Sequence, residues 1–315
     1  MSMRVGLLTI GIAATASMTA SLAGQTQNAR PTFRAGVDRV AVTAVVRTPK
    51  GRPVTDLAGE EFQLFDSGEP RPIVEVRSDS TPVRIALLMD FSGSMQIASK
   101  REAATDVAHH LLSWLEPGVD EAGLFGFDST LRELHPLAPA PGDIVNRLET
   151  VSPFGTTSLF DAIAQTGQRL AATGGTRRAV IALTDGLDNA SRLSAEEVSA
   201  LASAIDVPVY IVLIVSPLDR AGSSTLIDAR LDAMVRGSLG NLARWTGGEI
   251  FVASGPAPTS AAARQIVDEL RHQYLIAFEP GQRPGWHPIE VRATRKNVVV
   301  RTRSGYVVPA RPIVH

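Results

Sequence analysis

A continuous apolar run, Ile85-Ala-Leu-Leu-Met89, ends abruptly in the polar phrase Asp90-Phe-Ser92-Gly-Ser94. Apolar residues without alternation suit a strand buried on both faces, and such a strand needs helices above and below its sheet. The chain beyond it keeps switching period. Ala104, Val107, Ala108, Leu111 and Leu115 share one helical face across 99–115, and Pro117-Gly118 closes that helix. Strands are expected at 122–127, 179–183, 209–215 and 250–252, with a short edge strand at 131–137. Helices are expected at 143–151, 159–170, 196–205, 231–245 (interrupted by Gly237 and Gly240) and 261–273. Strands alternating with helices of this length imply right-handed crossovers and a doubly wound, mostly parallel sheet flanked by helices. Residues 82–272 are therefore expected to form one α/β domain.

The flanks have a different texture. Val40, Val42, Ala44 and Val46 alternate with period two, and 62–65 and 73–76 read as further short strands. After the α/β segment, three strands are expected at 274–278, 287–293 and 298–303, with Pro280-Gly281 and Pro284-Gly285 punctuating the first connection. Neither flank is large enough to bury a good core alone. Segments 36–80 and 274–308 are therefore expected to pair into one small β-sandwich, with the α/β domain inserted between them.

Residues 1–23 read as an export signal. Arg4 begins it, an apolar stretch follows, and Ser21-Leu22-Ala23 offers small residues at a cleavage site. Residues 24–35 are a linker, and the 217–228 loop is polar. The chain is then expected to be exported, to the periplasm, the cell surface or the medium, with no stable membrane span once the signal is removed. Lys and Arg number 31 against 32 Asp and Glu, so there is no general attraction to nucleic acid. The absence of cysteine excludes disulfides, thiolate metal sites and Cys nucleophiles.

Asp90, Ser92 and Ser94 stand at the carboxyl end of the first buried strand, where open α/β sheets bind ligands. Residues i, i+2 and i+4 can converge on one point if Gly93 lets the loop curl. Phe154-Gly-Thr-Thr-Ser-Leu-Phe-Asp161 presents Thr157 ahead of a helix, and Leu183-Thr-Asp-Gly186 presents Asp185 at the end of another central strand. Two carboxylates and three hydroxyls are hard oxygen donors, suited to Mg²⁺ or Mn²⁺ in preference to Ca²⁺.

These three phrases resemble the metal-ion-dependent adhesion site of von Willebrand factor A domains, over roughly 82–272. Pro53-Val-Thr-Asp-Leu57 followed by Phe62 is similar to a segment of the VWFA-related proteins of acidobacteria. The resemblance implies that Asp90, Ser92, Ser94, Thr157 and Asp185 hold one octahedral ion, directly or through water. It also implies a sixth position left for an Asp or Glu of a protein partner, and binding without catalysis. Haloacid-dehalogenase phosphatases also place a carboxylate at the end of a buried strand, but here Ser92 stands where their acid/base Asp would be, so the proton shuttle is missing. A purely structural metal would use the same ligands. Other residues read as ordinary: Asp128 as a turn residue, Asp188-Asn189 as a solvated loop in preference to a support behind the ligands, His109-His110 as exposed or packed. Arg292, Arg295, Lys296, Arg301 and Arg303 read as a solvated strand face, with a site for an anionic partner as the alternative.

Overall fold

The computed structural model describes residues 39–78, 81–139, 144, 155–175, 177–216 and 224–310. The signal expected at 1–23, the linker expected at 24–35, the helix expected at 143–151 apart from Ile144, and the first part of the 217–228 loop lie outside the described residues.

The α/β unit is built on a six-stranded sheet. In chain order its strands are β5 (Arg84–Asp90), β6 (Glu121–Phe127), β7 (Leu131–Pro139), β8 (Arg178–Thr184), β9 (Val209–Ile214) and β10 (Ile250–Ala253), and their spatial order is β10-β9-β8-β5-β6-β7. All neighbours are parallel except β6 and β7, which form an antiparallel edge. The helices are α1 (Lys100–Ser113), α2 (Leu159–Ala172), α3 (Ala195–Ala204), α4 (Ser224–Arg236), α5 (Ser238–Trp245) and α6 (Pro256–Arg271). Because the strands point alternate side chains to opposite faces, they feed two cores. Ile85, Leu87 and Met89 pack with α1 and α6 on one face, and Ala86 and Leu88 pack with α2, α3 and α5 on the other. Each fully buried Leu, Ile or Val contributes roughly 1.5–3 kcal/mol.

The flanks supply β1 (Val40–Arg47), β2 (Phe62–Asp66), β3 (Glu69–Arg71) and β4 (Ile73–Arg77) before this unit. They supply β11 (Gln273–Phe278), β12 (Gly285–Ala293), β13 (Val299–Thr302) and β14 (Gly305–Val308) after it. These strands make two four-stranded sheets, β13-β1-β11-β4 and β14-β12-β2-β3. Val42, Ala44, Tyr274 and Ile276 of the first sheet share one core with Phe62, Leu64, Ile289 and Val291 of the second. The sheets are thus stitched from both ends of the chain.

Several local expectations differ from the structure. The final strand expected at 298–303 is β13, β14 is added after it, and β3 is added as the return of a tight hairpin. The helix expected at 231–245 starts earlier and breaks at Gly237 into α4 and α5. The solvated-face reading of the C-terminal arginines fails for Arg301 and Arg303. Arg303 is buried, donating to the Ser203 and Ala41 carbonyls, and Arg301 reaches Glu249 and Glu269 of the α/β unit. Their acidic and carbonyl partners lie in distant parts of the chain, which a period-two pattern cannot reveal.

Candidate functional site

The site forms where β5 and β8 end side by side. Their parallel register pairs Met89 with Leu183, so Asp90 and Asp185 emerge at the same carboxyl edge. Asp90 is almost fully buried. Its Oδ1 accepts the Ser92 backbone N–H at 2.8 Å, and its Oδ2 accepts the Thr184 hydroxyl at 2.6 Å. One carboxylate therefore curls its own loop and ties it to the neighbouring strand. Burial pushes the Asp90 carboxyl up to about 6, the hydrogen bonds from Thr184 and Ser92 oppose that rise, and the charge of Asp185 adds to it.

The Ser92 and Ser94 hydroxyls converge, Oγ to Oγ, at 3.1 Å. The curl comes from a 3₁₀ turn over Gly93–Ser99 and not from an unusual backbone at Gly93, whose φ is not positive. A second loop stands against the first, for the Gly93 N–H donates to the Gly155 carbonyl at 3.3 Å. This brings the segment carrying Thr157, itself buried, beside the serine loop.

A lattice of loop hydrogen bonds braces this second loop. The Thr157 N–H donates to Asn189 Oδ1 at 2.8 Å, and the Thr157 carbonyl accepts the N–H groups of Asn189 and Ala190. Asp188 accepts from the Phe160 N–H and from Ser191, while Asp161 accepts from the N–H groups of Arg192 and Leu193. Asp188 and Asn189 are thus bracing residues, which corrects their reading as a solvated loop. Asp128 caps its turn by accepting from Thr130 and Arg132, and its carbonyl accepts the Ser158 N–H.

Sequence reasoning missed Thr184 and Lys100. Lys100, the first residue of α1, places Nζ 3.0 Å from Asp185 Oδ2, with both side chains buried. Thr184 lies within the Leu183-Thr-Asp-Gly186 phrase, directly before Asp185; nothing local marks Lys100.

The donor set can be tested for a hard cation. Among the described residues no three His, Asp or Glu side chains converge. An ion here must therefore draw on hydroxyls, and the Ser92–Ser94 pair beside two carboxylates supplies them. Oxygen-only donors of this kind fit Mg²⁺ or Mn²⁺ and do not fit a soft metal.

Residues 85–187 match the family model of the von Willebrand factor type A domain. That match spans about a third of the chain and marks this segment, not the whole chain, as similar to von Willebrand factor type A domains. No curated protein sequence matches the chain. Among solved structures, it is similar to a von Willebrand factor type A protein from Catenulispora acidiphila, at 12% identity and TM-score 0.48, covering 86% of this chain and 74% of that one. An aerotolerance-related membrane protein from Bacteroides fragilis matches at 18% identity and TM-score 0.42, covering 60% and 98%. The PilB minor pilin from Streptococcus sanguinis matches at 14% identity and TM-score 0.39, covering 64% and 62%.

Proposed function

We propose that this chain is an exported protein-binding module, and that Asp90, Ser92, Ser94, Thr157 and Asp185 hold Mg²⁺ or Mn²⁺ to engage an Asp or Glu of a protein partner. One observation carries the reading: two hydroxyls meet on a loop that Asp90 itself holds, at the sheet edge that also presents Asp185. When bound, the ion supplies a Lewis-acidic position for a carboxylate. The protein's part is to fix the oxygens, since each loop is anchored by backbone hydrogen bonds and little reorganisation is left to binding. Export rests on the N-terminal signal pattern, and no helix among the described residues is long and apolar enough to cross a membrane.

A binding role is preferred to hydrolysis because Ser92, two residues from Asp90, offers no general acid or base. A purely structural ion would leave the same ligand set but no metal-dependent partner.

The test is a thermal melt of the mature chain in Mg²⁺, Mn²⁺ or EDTA, beside Asp90→Ala. An ion at 100 times its dissociation constant stabilises by roughly 2.7 kcal/mol when it binds only the folded state. The expected result is a metal-dependent rise in Tm that Asp90→Ala abolishes. Absence of any rise in the wild-type chain overturns metal-dependent binding as its function. Binding of an Asp-rich peptide in Mg²⁺, lost in EDTA, then separates an adhesive ion from a structural one.

A further inference from the structure

The acidic pole of the site already holds a cation. Lys100 Nζ donates to Asp185 Oδ2 at 3.0 Å, and the side chains are 9% and 1% exposed. Lysine is rarely so buried unless it is paired. Its position is also the wrong one for a helix. Lys100 is the first residue of α1, where the helix dipole disfavours positive charge. Ser99, just before it, takes a left-handed backbone (φ 57°), a conformation that costs a non-glycine residue about 1 kcal/mol or more. Helix formation explains neither feature, but the ion pair with Asp185 accounts for a lysine held here.

We propose that Lys100 is a resident cation of this site, that a divalent ion loads only by displacing its ammonium from Asp185, and that Lys100 thereby sets the metal affinity. The ion pair keeps two neighbouring buried carboxylates from facing each other uncompensated when no metal is bound. Loading is then an exchange of one cation for another. The metal gains Asp185 only by breaking a buried ion pair, so affinity is lower than the oxygen ligands alone would give. This rests on the metal reading above, and the experiment separates the two.

Mg²⁺ is titrated into the wild-type chain and into Lys100→Met, with affinity read by calorimetry and by Tm. Lys100→Met is expected to bind Mg²⁺ about tenfold tighter or more, because Asp185 no longer has a competing cation. It is also expected to melt below the wild type in EDTA, since Asp185 is left unpaired. Binding by Lys100→Met with none by the wild type supports the same conclusion. Equal or weaker affinity in a folded Lys100→Met overturns the exchange while leaving the metal site standing. Silence of Mg²⁺ in both proteins overturns the metal reading and the exchange together.

A second measurement needs no variant. Lys50 and Lys296, the chain's other lysines, are both exposed and serve as internal standards for amine acylation read by mass spectrometry. At Mg²⁺ concentrations that raise Tm, acylation of Lys100 is expected to increase relative to both. Unchanged acylation of Lys100 under those conditions overturns the exchange.

Discussion

Asp90 shows how one buried carboxylate can be held at a cost. Burial lifts its carboxyl from an ordinary 3.8 to about 6, against the pull of Thr184 and Ser92. The folded chain therefore keeps a proton that the unfolded chain has already released between those two values. Stability contributed by this group is present below about pH 4 and is lost as pH rises to 6, a loss of order 2–3 kcal/mol in the absence of metal. Asp90→Asn removes the penalty. In EDTA at pH 7 this variant is expected to be the more stable protein, and urea melts should show its advantage shrinking towards pH 4. A variant less stable than the wild type at pH 7 would mean that the two hydrogen bonds of Asp90 outweigh its burial. The same variant should lose the metal-dependent rise in Tm, so one substitution is expected to raise stability without metal and abolish the gain from it.

Among the secondary elements, the end of β5 carries the site, and its position depends on a ring beneath it. Phe91 is fully buried, and its ring lies against Gly126 of β6; a Cβ at Gly126 would come within 2.6 Å of that ring. The flexible end of a side chain can yield, but Phe91 is fully buried in the core it shares with Met89, Met95 and α1, and it stands in the chain between Asp90 and Ser92. Gly126→Ala is expected to cost about 1–3 kcal/mol by overpacking. It should also weaken the proposed Mg²⁺ binding severalfold though it touches none of the proposed ligands, as a melt in Mg²⁺ against EDTA would record. Unaltered affinity would show that the serine loop is independent of Phe91. The alternation of strands and helices was readable because each element states its own period locally, and the phrases around Asp90, Thr157 and Asp185 because each sits at a strand end or before a helix. What could not be read were the pairings that make those phrases a site. Thr184 reaches Asp90 across 94 residues and Lys100 reaches Asp185 across 85, and no local pattern announces either. The 3₁₀ turn was missed for a related reason, since Gly93 invites a positive φ that the loop does not use.

At the scale of the whole molecule, the sheet's two edges have different work. The carboxyl edge presents Asp90 and Asp185, while the amino edge meets the β-sandwich through buried charge. Glu269 of α6, 1% exposed, takes Arg47 of β1 and Arg301 of β13, and also accepts the Tyr210 hydroxyl at 3.0 Å. Glu249, just before β10, takes the same two arginines. At Gly247 the chain passes so close to β13 that a Cβ would stand 2.9 Å from the Arg303 nitrogen, so only glycine fits that approach. Since α6 runs into β11 with only His272 between them, the α/β unit and the sandwich are coupled by both chain and charge. A buried ion pair adds little over a well-packed apolar pair, but removing one partner leaves the other charge uncompensated. Glu269→Gln strands two arginines with only Glu249 to share, and is expected to cost about 3–5 kcal/mol. Urea denaturation followed by tryptophan fluorescence and by far-ultraviolet dichroism would detect this. In the wild type the two signals should coincide, as for one cooperative unit, and in Glu269→Gln they should separate as the sandwich and the α/β unit lose their tie. The Mg²⁺ affinity should be unchanged, because the substitution lies at the opposite edge of the sheet from the proposed ligands. A Glu269→Gln chain that unfolds like the wild type would mean that backbone continuity and the apolar contacts hold the two parts together unaided. One that keeps its stability but loses metal affinity would mean that the two edges communicate through α6.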